Sequence, residues 1–157
     1  MSRAVVALVL LGVGAFAATA VSADPSEVTP SRASPASDDY VQGKKAVEAK
    51  DWPRAIELLS RAEVQDDRNP DLQNFLGYAY RNVGRLDEAF KHYEAALRLN
   101  PRHRGAHEYI GEAYLLVNNL PKAEEHLAAL NDICVLACEE HEDLKKAIAA
   151  YRARAGR

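Results

Sequence analysis

The fold is decided by residues 77–101, which read GYAYRNVGRLDEAFKHYEAALRLNP. The first residue of this stretch is a glycine, and a glycine recurs every 34 positions around it, as Gly43, Gly77 and Gly111. A fixed period of this length is typical of a stacked repeat, in which each unit buries its apolar face against its neighbours. The sequence therefore predicts a chain built from three similar units.

Each unit has the spacing of two amphipathic helices joined by a turn. Leu76 and Tyr80 lie four positions apart on the first helix, and apolar residues recur at spacings of four and three on the second: Ala89, Tyr93 and Ala96. Gly84 suits the turn because glycine adopts left-handed backbone freely. We expect the two helices to cross closely at Gly77 and Ala89, since neither residue has bulk there.

This spacing resembles the tetratricopeptide repeat. The family pattern places a small residue, an aromatic residue, an alanine and a closing proline at fixed positions, which here are Gly77, Tyr80, Ala89 and Pro101. The resemblance implies an all-α, right-handed solenoid of helical hairpins, with three repeats over residues 38–137. The middle repeat matches the pattern best.

The last segment, residues 138–157, departs from the repeat and predicts a capping helix. Leu144, Ile148 and Tyr151 fall on one apolar face. The first turns are acidic and the last are basic, which suits the helix dipole at both ends. Such a helix closes the open end of a solenoid, so we expect two helices in each repeat and one cap.

The chain begins with the pattern of a secretory signal peptide. Arg3 gives a basic start, residues 4–18 are apolar and uncharged, and small residues precede an expected cleavage after Ala23. The apolar run is shorter than the roughly 20 residues of a membrane-spanning helix, which disfavours an uncleaved anchor. We predict a signal peptide over residues 1–23, export to the periplasm and no integral membrane segment after cleavage.

The segment after the leader, residues 24–37, reads DPSEVTPSRASPAS. Its proline and serine content and its lack of apolar bulk predict a disordered linker. Without Arg3 the cleaved chain keeps 19 basic residues against 23 acidic ones. This balance gives no reason to expect a nucleic-acid partner.

The only two cysteines, Cys134 and Cys138, lie where the third repeat leaves the pattern. Three interpretations stay open: a structural disulfide, two inert thiols, or a functional thiol-redox or copper-handling pair. Four helical residues place Cα atoms about 6 Å apart, which is near the upper end for a disulfide. In one continuous helix His141 would join the cysteines as a soft-metal ligand. A structural zinc site needs four ligands, so we predict no metal and no cofactor.

Enzyme motifs are missing from the sequence. It contains no glycine-rich phosphate loop, paired catalytic carboxylate motif or metalloprotease helix. The histidines at positions 92, 103, 107 and 126 do not combine with a serine or cysteine nucleophile, and we expect most of them to be solvated. The chain is therefore predicted to be non-enzymatic.

The resemblance to tetratricopeptide repeat proteins implies a protein or peptide partner, held in a concave groove lined by the first helix of each repeat. Carried over by position, the groove residues are Tyr40, Lys44, Asn74, Tyr78, Arg81, Asn82, Glu108, Glu112 and Leu115. The family's clamp for chaperone C-terminal carboxylates needs asparagine where Lys44 and Phe75 stand, so that activity is not implied. The expected function is an adaptor or scaffold, and self-association through end-to-end stacking is a second partner hypothesis.

Overall fold

A computed structural model describes residues 35–156 of the chain. This part contains helices and turns but no strand. The helices are α1 (Pro35–Glu48), α2 (Trp52–Gln65), α3 (Pro70–Asn82), α4 (Leu86–Leu99), α5 (Arg104–Leu116), α6 (Leu120–Ile133) and α7 (Glu139–Ala155). The predicted all-α solenoid of three hairpins and a cap is confirmed.

The first helix begins earlier than the sequence suggests. α1 starts at Pro35, inside the segment predicted as a linker over residues 24–37. A proline is well tolerated in the first turn of a helix, where its missing N–H has no intrahelical partner to lose. The predicted signal peptide, residues 1–23, and residues 24–34 of the predicted linker lie outside the described residues.

The turns inside the hairpins share one backbone requirement. A residue with positive φ occurs in each of them, at Lys50 (φ 57), Gly84 (φ 78) and Asn118 (φ 57). These positions are 34 residues apart, so the repeat period sets the turn as well as the helices. In two repeats, a residue with a side chain adopts the left-handed backbone conformation that is easiest for glycine.

The glycines of the repeat period mark the tightest helix contacts. A Cβ atom added at Gly43 would lie 2.7 Å from the Leu59 side chain, and one added at Gly77 would lie 2.6 Å from the Tyr93 ring. The side chain over Gly77 is therefore Tyr93, one turn beyond the fully buried Ala89 that we expected at the crossing. In these two hairpins, a large side chain of the second helix thus fills the space beside the glycine of the first helix.

In the third hairpin, the space beside the glycine is filled by a residue of the last helix. A Cβ atom at Gly111 would lie 2.7 Å from Leu144, which belongs to α7. Leu144 is fully buried, and Ile148 on the same face is 2% exposed. The last helix therefore packs into the third repeat as the predicted cap does.

The helices stack in chain order around three clusters of buried apolar residues, and Tyr80 and Tyr114 each pack against two of them. α1 contacts α3 and α3 contacts α5, so the first helices of the hairpins stand side by side, while α7 packs against α5 and α6. The largest fully buried side chains are Leu59, Leu72, Leu76, Tyr93, Ile110, Leu130 and Leu144. Within residues 35–156, none of the helices has the length and apolar character that crossing a membrane requires.

The contact at Gly77 predicts the effect of a single methyl group. Gly77→Ala should lower the free energy of unfolding by about 1–2 kcal/mol, because overpacking against Tyr93 outweighs the gain in helix propensity. Urea denaturation measures the change. Lys91→Ala, an exposed change on α4, is the control and should stay within about 0.5 kcal/mol. Equal or greater stability of Gly77→Ala would contradict this packing.

Candidate partner-binding groove

An aromatic pair lies at the centre of the row formed by the first helices. The ring centroids of Tyr78 on α3 and Tyr109 on α5 are 4.6 Å apart, and the Trp52 ring meets Tyr78 edge-on at 5.5 Å. The sequence prediction named Tyr78 but not Tyr109. The signal was present, because Tyr109 follows Phe75 by 34 positions and so occupies the same aromatic position of the repeat.

The pair is covered by an ion pair between neighbouring helices. The Arg81 guanidinium lies 5.1 Å from the Tyr78 centroid and 5.3 Å from the Tyr109 centroid, and it donates a hydrogen bond to Glu112. The Arg81 side chain is only 13% exposed and that of Glu112 is 28% exposed. Cation–π contact and a partly buried ion pair therefore hold these four side chains in one arrangement.

Glu108, one turn before Glu112, has a different environment. Within the described residues its carboxylate has no hydrogen bond and no ion pair, although the side chain is half-buried. Burial raises the pKa of Glu108 to about 8, with further contributions from the negative charges of Glu112, Asp143 and Glu140; Arg81 opposes the increase. The carboxyl group is therefore largely protonated at neutral pH.

The remaining predicted groove residues differ in how much of them a partner can reach. Lys44 Nζ lies 5.0 Å from the Tyr40 ring centroid at the α1 end, and exposed Asn82 donates to the Tyr78 carbonyl oxygen at 2.8 Å. Asn74 is 5% exposed, and Leu115 is 8% exposed in the core cluster that contains Leu144. Asn74 and Leu115 thus offer little surface.

The cap helix adds a wall to the groove that the sequence prediction did not assign. A depression of about 470 Å³ lies between α3, α5 and α7. Arg81, Asn82 and Glu112 line one side, and Ala147 and Ala150 of α7 line the other. The small α7 side chains leave this end of the groove open.

The expectation that most histidines are solvated is wrong. His92 is 7% exposed and His107 is 9% exposed. His92 Nδ1 lies 2.8 Å from Gln73 Oε1, and Gln73 Nε2 donates to Glu63 at 2.9 Å. Burial lowers the pKa of His92. A neutral ring therefore donates from Nδ1 to the Gln73 oxygen and joins α4 to α3.

The third hairpin has an equivalent pair. His107 Nδ1 and His126 Nδ1 are 2.9 Å apart, and His107 Nε2 donates to the Pro101 carbonyl oxygen at 3.1 Å. Burial and the neighbouring His107 lower the pKa of His126 to about 4. His126 follows His92 by 34 positions, as His107 follows Gln73, so the repeat period contained the signal for both pairs.

The cysteines lie in the connection between α6 and α7. α6 ends at Ile133 and α7 begins at Glu139, and the Sγ atoms of Cys134 and Cys138 are at bonding distance, 2.05 Å. The continuous helix that would align both cysteines with His141 is therefore absent. Within the described residues no cluster of three or more histidine, cysteine, aspartate or glutamate side chains is arranged to hold a metal.

Helical hairpins in series, with aromatic and charged side chains along their first helices, define a helical-repeat fold. Residues 70–103 match the family model of the tetratricopeptide repeat. The chain thus contains a tetratricopeptide repeat at residues 70–103. This confirms the resemblance in the sequence, and the matched residues enclose the whole stretch, residues 77–101, that first indicated it.

Curated relatives share part of the chain. Heat shock protein STI1 of Saccharomyces cerevisiae is 30% identical over 91 residues, which is 57% of this chain and 15% of that protein. Anaphase-promoting complex subunit 7 of Homo sapiens is 31% identical over 83 residues, 53% of this chain and 15% of that protein. The chain thus spans a small part of the length of these relatives.

Solved structures share the fold. The TPR2B domain in a pHsp70 complex of yeast Sti1 gives a TM-score of 0.69 at 17% identity, covering 76% of this chain and 98% of that one. The first TPR of Spaghetti (RPAP3), bound to an HSP90 peptide, gives 0.66 at 20% identity, covering 75% and 94%. A point mutant of MamA gives 0.60 at 26% identity, covering 64% and 73%.

The environment of Glu108 predicts a pH-dependent stability. Its folded-state pKa, about 8, lies above the ordinary value of 4.5, so the stability it contributes is complete below pH 4.5 and is lost as the pH rises through 8. Relative to Glu108→Gln, the wild-type chain should therefore lose free energy of unfolding between pH 5 and pH 8, by an amount that denaturant titrations at each pH measure. Glu94→Gln, an exposed change, is the control. A difference independent of pH would contradict this environment.

The cysteine geometry predicts the outcome of alkylation. The chain purified from its native host should gain two alkyl groups under denaturing conditions only after reduction, as intact mass measures. Replacing both Cys134 and Cys138 by serine should destabilise the fold by about 2 kcal/mol, the chain-entropy value for so short a loop. Addition of two alkyl groups without reduction would show free thiols. This result would contradict the disulfide and favour the thiol-redox and copper-handling alternatives.

Proposed function

We propose that the chain is an exported, periplasmic adaptor that binds a protein partner along the groove formed by α1, α3 and α5, without catalysing a reaction. The observation that carries this proposal is the fixed arrangement of Tyr78, Tyr109 and Arg81. Tyrosine and arginine are enriched among the residues that contribute most to binding, particularly where they are held rigid. Here the rings and the Arg81–Glu112 ion pair constrain one another before any partner arrives.

The neighbouring folds support a peptide as the partner. The yeast Sti1 and RPAP3 structures are named as complexes with pHsp70 and with an HSP90 peptide. Their identity to this chain is 17–20%, so they support the mode of binding and not the ligand. Lys44 and Phe75 stand where the carboxylate clamp needs asparagine, so we do not propose a chaperone C-terminus as the partner.

The proposed location has two supports in the sequence. Residues 1–23 have the charge and size pattern of a secretory signal peptide. The Cys134–Cys138 pair suits an oxidising compartment, where a disulfide persists. Residues 24–34 would then tether the repeats to the mature N-terminus.

The alternative function, thiol-redox or copper handling, has less support. The two sulfur atoms are bonded to each other, and His141 does not share a helix stripe with both. Two sulfur donors without a third ligand make an incomplete site for zinc. We therefore assign the cysteine pair a structural role, as a covalent link in the connection between α6 and α7.

Site-specific photo-crosslinking in the native host tests the adaptor proposal. A benzophenone amino acid at Asn82, exposed in the groove, should capture a discrete partner band. The same amino acid at Glu94, exposed on the second helix of the same hairpin, is the matched control and should give no such band. Captured bands of equal intensity from both positions, or no band from Asn82, would overturn the groove assignment.

A further inference from the structure

The charges around Glu108 are already paired, while Glu108 is not. Arg81 pairs with Glu112 across the groove. Two further pairs involve acidic residues of α7: the Glu140 carboxylate lies 3.5 Å from the Arg104 guanidinium, and Asp143 accepts from Lys146 at 2.8 Å. The cations of all three pairs are thus engaged by other carboxylates. This end of the groove therefore has a carboxyl group without an ion-pair partner among the described residues.

A second, independent feature lies beside it. Asn74 is 5% exposed, and its Oδ1 atom has no hydrogen-bond donor in the described chain. The amide is directed at the face of α5 that carries Glu108, because a Cβ atom at Gly105 would lie 3.1 Å from Asn74 Nδ2. Gly105 is one helical turn before Glu108 and so lies on the same face. The Asn74 amide thus lies beside this face of α5 with its nitrogen toward Gly105, and its oxygen is a buried acceptor without a donor.

We propose that this part of the groove binds a basic side chain, arginine or lysine, from an extended peptide of the partner. The inference rests on the proposed function and specifies the partner's chemistry. Glu108 accepts from the cationic head, and the Tyr109 ring on the same helix supports the stem. Guanidinium and ammonium groups carry several donors and no acceptor, which matches the unpaired Glu108 carboxylate.

The groove already repels the opposite kind of ligand. Arg81 is the cation that opposes the raised pKa of Glu108, and it already forms an ion pair with Glu112. Arg154 also lines the depression, but it follows Asp143 by about three helical turns, roughly 16 Å along α7. An acidic peptide at Glu108 would therefore add its charge to the negative charges of Glu112, Asp143 and Glu140. Like-charge contact of this kind raises the cost of the wrong partner more than it improves binding of the right one.

Binding of a cation is linked to a proton in this site. Free Glu108 holds its proton at neutral pH because its pKa is raised to about 8 by burial and by Glu112, Asp143 and Glu140, with Arg81 opposing. A bound cation favours the ionised carboxylate, so the proton leaves as the peptide binds. Affinity therefore rises as the pH rises through 8, since the basic side chain stays charged throughout this range.

Selection from a random library of 12-residue peptides, displayed against the immobilised full chain, tests the inference. Enriched peptides should share an arginine or lysine. For one of them, fluorescence anisotropy should give an affinity at least roughly tenfold higher at pH 8.5 than at pH 6, as the raised pKa requires. Glu108→Gln should remove this pH dependence, and Glu94→Gln, which changes an acidic residue outside the groove, should keep it. Circular dichroism checks that each variant is folded.

The outcomes separate this inference from the proposed function. Enriched peptides without a basic residue, whose binding is lost on Asn82→Trp in the groove, would overturn the inference and leave the adaptor function standing. Basic peptides that bind Glu108→Gln with unchanged affinity and unchanged pH dependence would also overturn it. Failure to enrich any peptide, or binding insensitive to Asn82→Trp, would overturn both.

Discussion

The close approach of helices at the repeat glycines is the constraint on which the rest of the structure depends. Gly43 and Gly77 leave a gap that Leu59 and Tyr93 fill from the second helix of the same hairpin. A single methyl group has no room at either contact. Because the contact recurs with the repeat period, it fixes the register of each hairpin and brings the positive-φ turns and the groove side chains to equivalent places.

The third glycine changes the character of the groove. Leu144 of α7 fills the gap over Gly111, so the cap packs directly against α5. The same packing brings Glu140 and Asp143 close enough to raise the pKa of Glu108. Burial is the main cause of the raised pKa of Glu108, and the acidic residues of the cap add to it, so the cap contributes to the site as well as covering the solenoid.

Much of the fold was predictable because one period governs it. The 34-residue period and the apolar spacing within each unit predicted the hairpins and their order, and the apolar face of Leu144, Ile148 and Tyr151 predicted the cap. The histidine pairs were missed because burial of a polar ring depends on which side chain it meets across the hairpin. A shift of 34 positions relates His92 to His126, but only the packed helices show that each ring has a hydrogen-bonding neighbour.

The groove residues also divide into those that the repeat pattern predicts and those whose environment only the packed helices show. Tyr78 and Arg81 follow from their positions in the repeat, which the family pattern supplies. The difference between Glu108 and Glu112 does not, since both are glutamates on one face of α5, one turn apart. Arg81 reaches Glu112, and α7 adds acidic groups around Glu108. The repeat places both carboxyl groups on one face of α5, and the packing of neighbouring helices decides which one has an ion-pair partner.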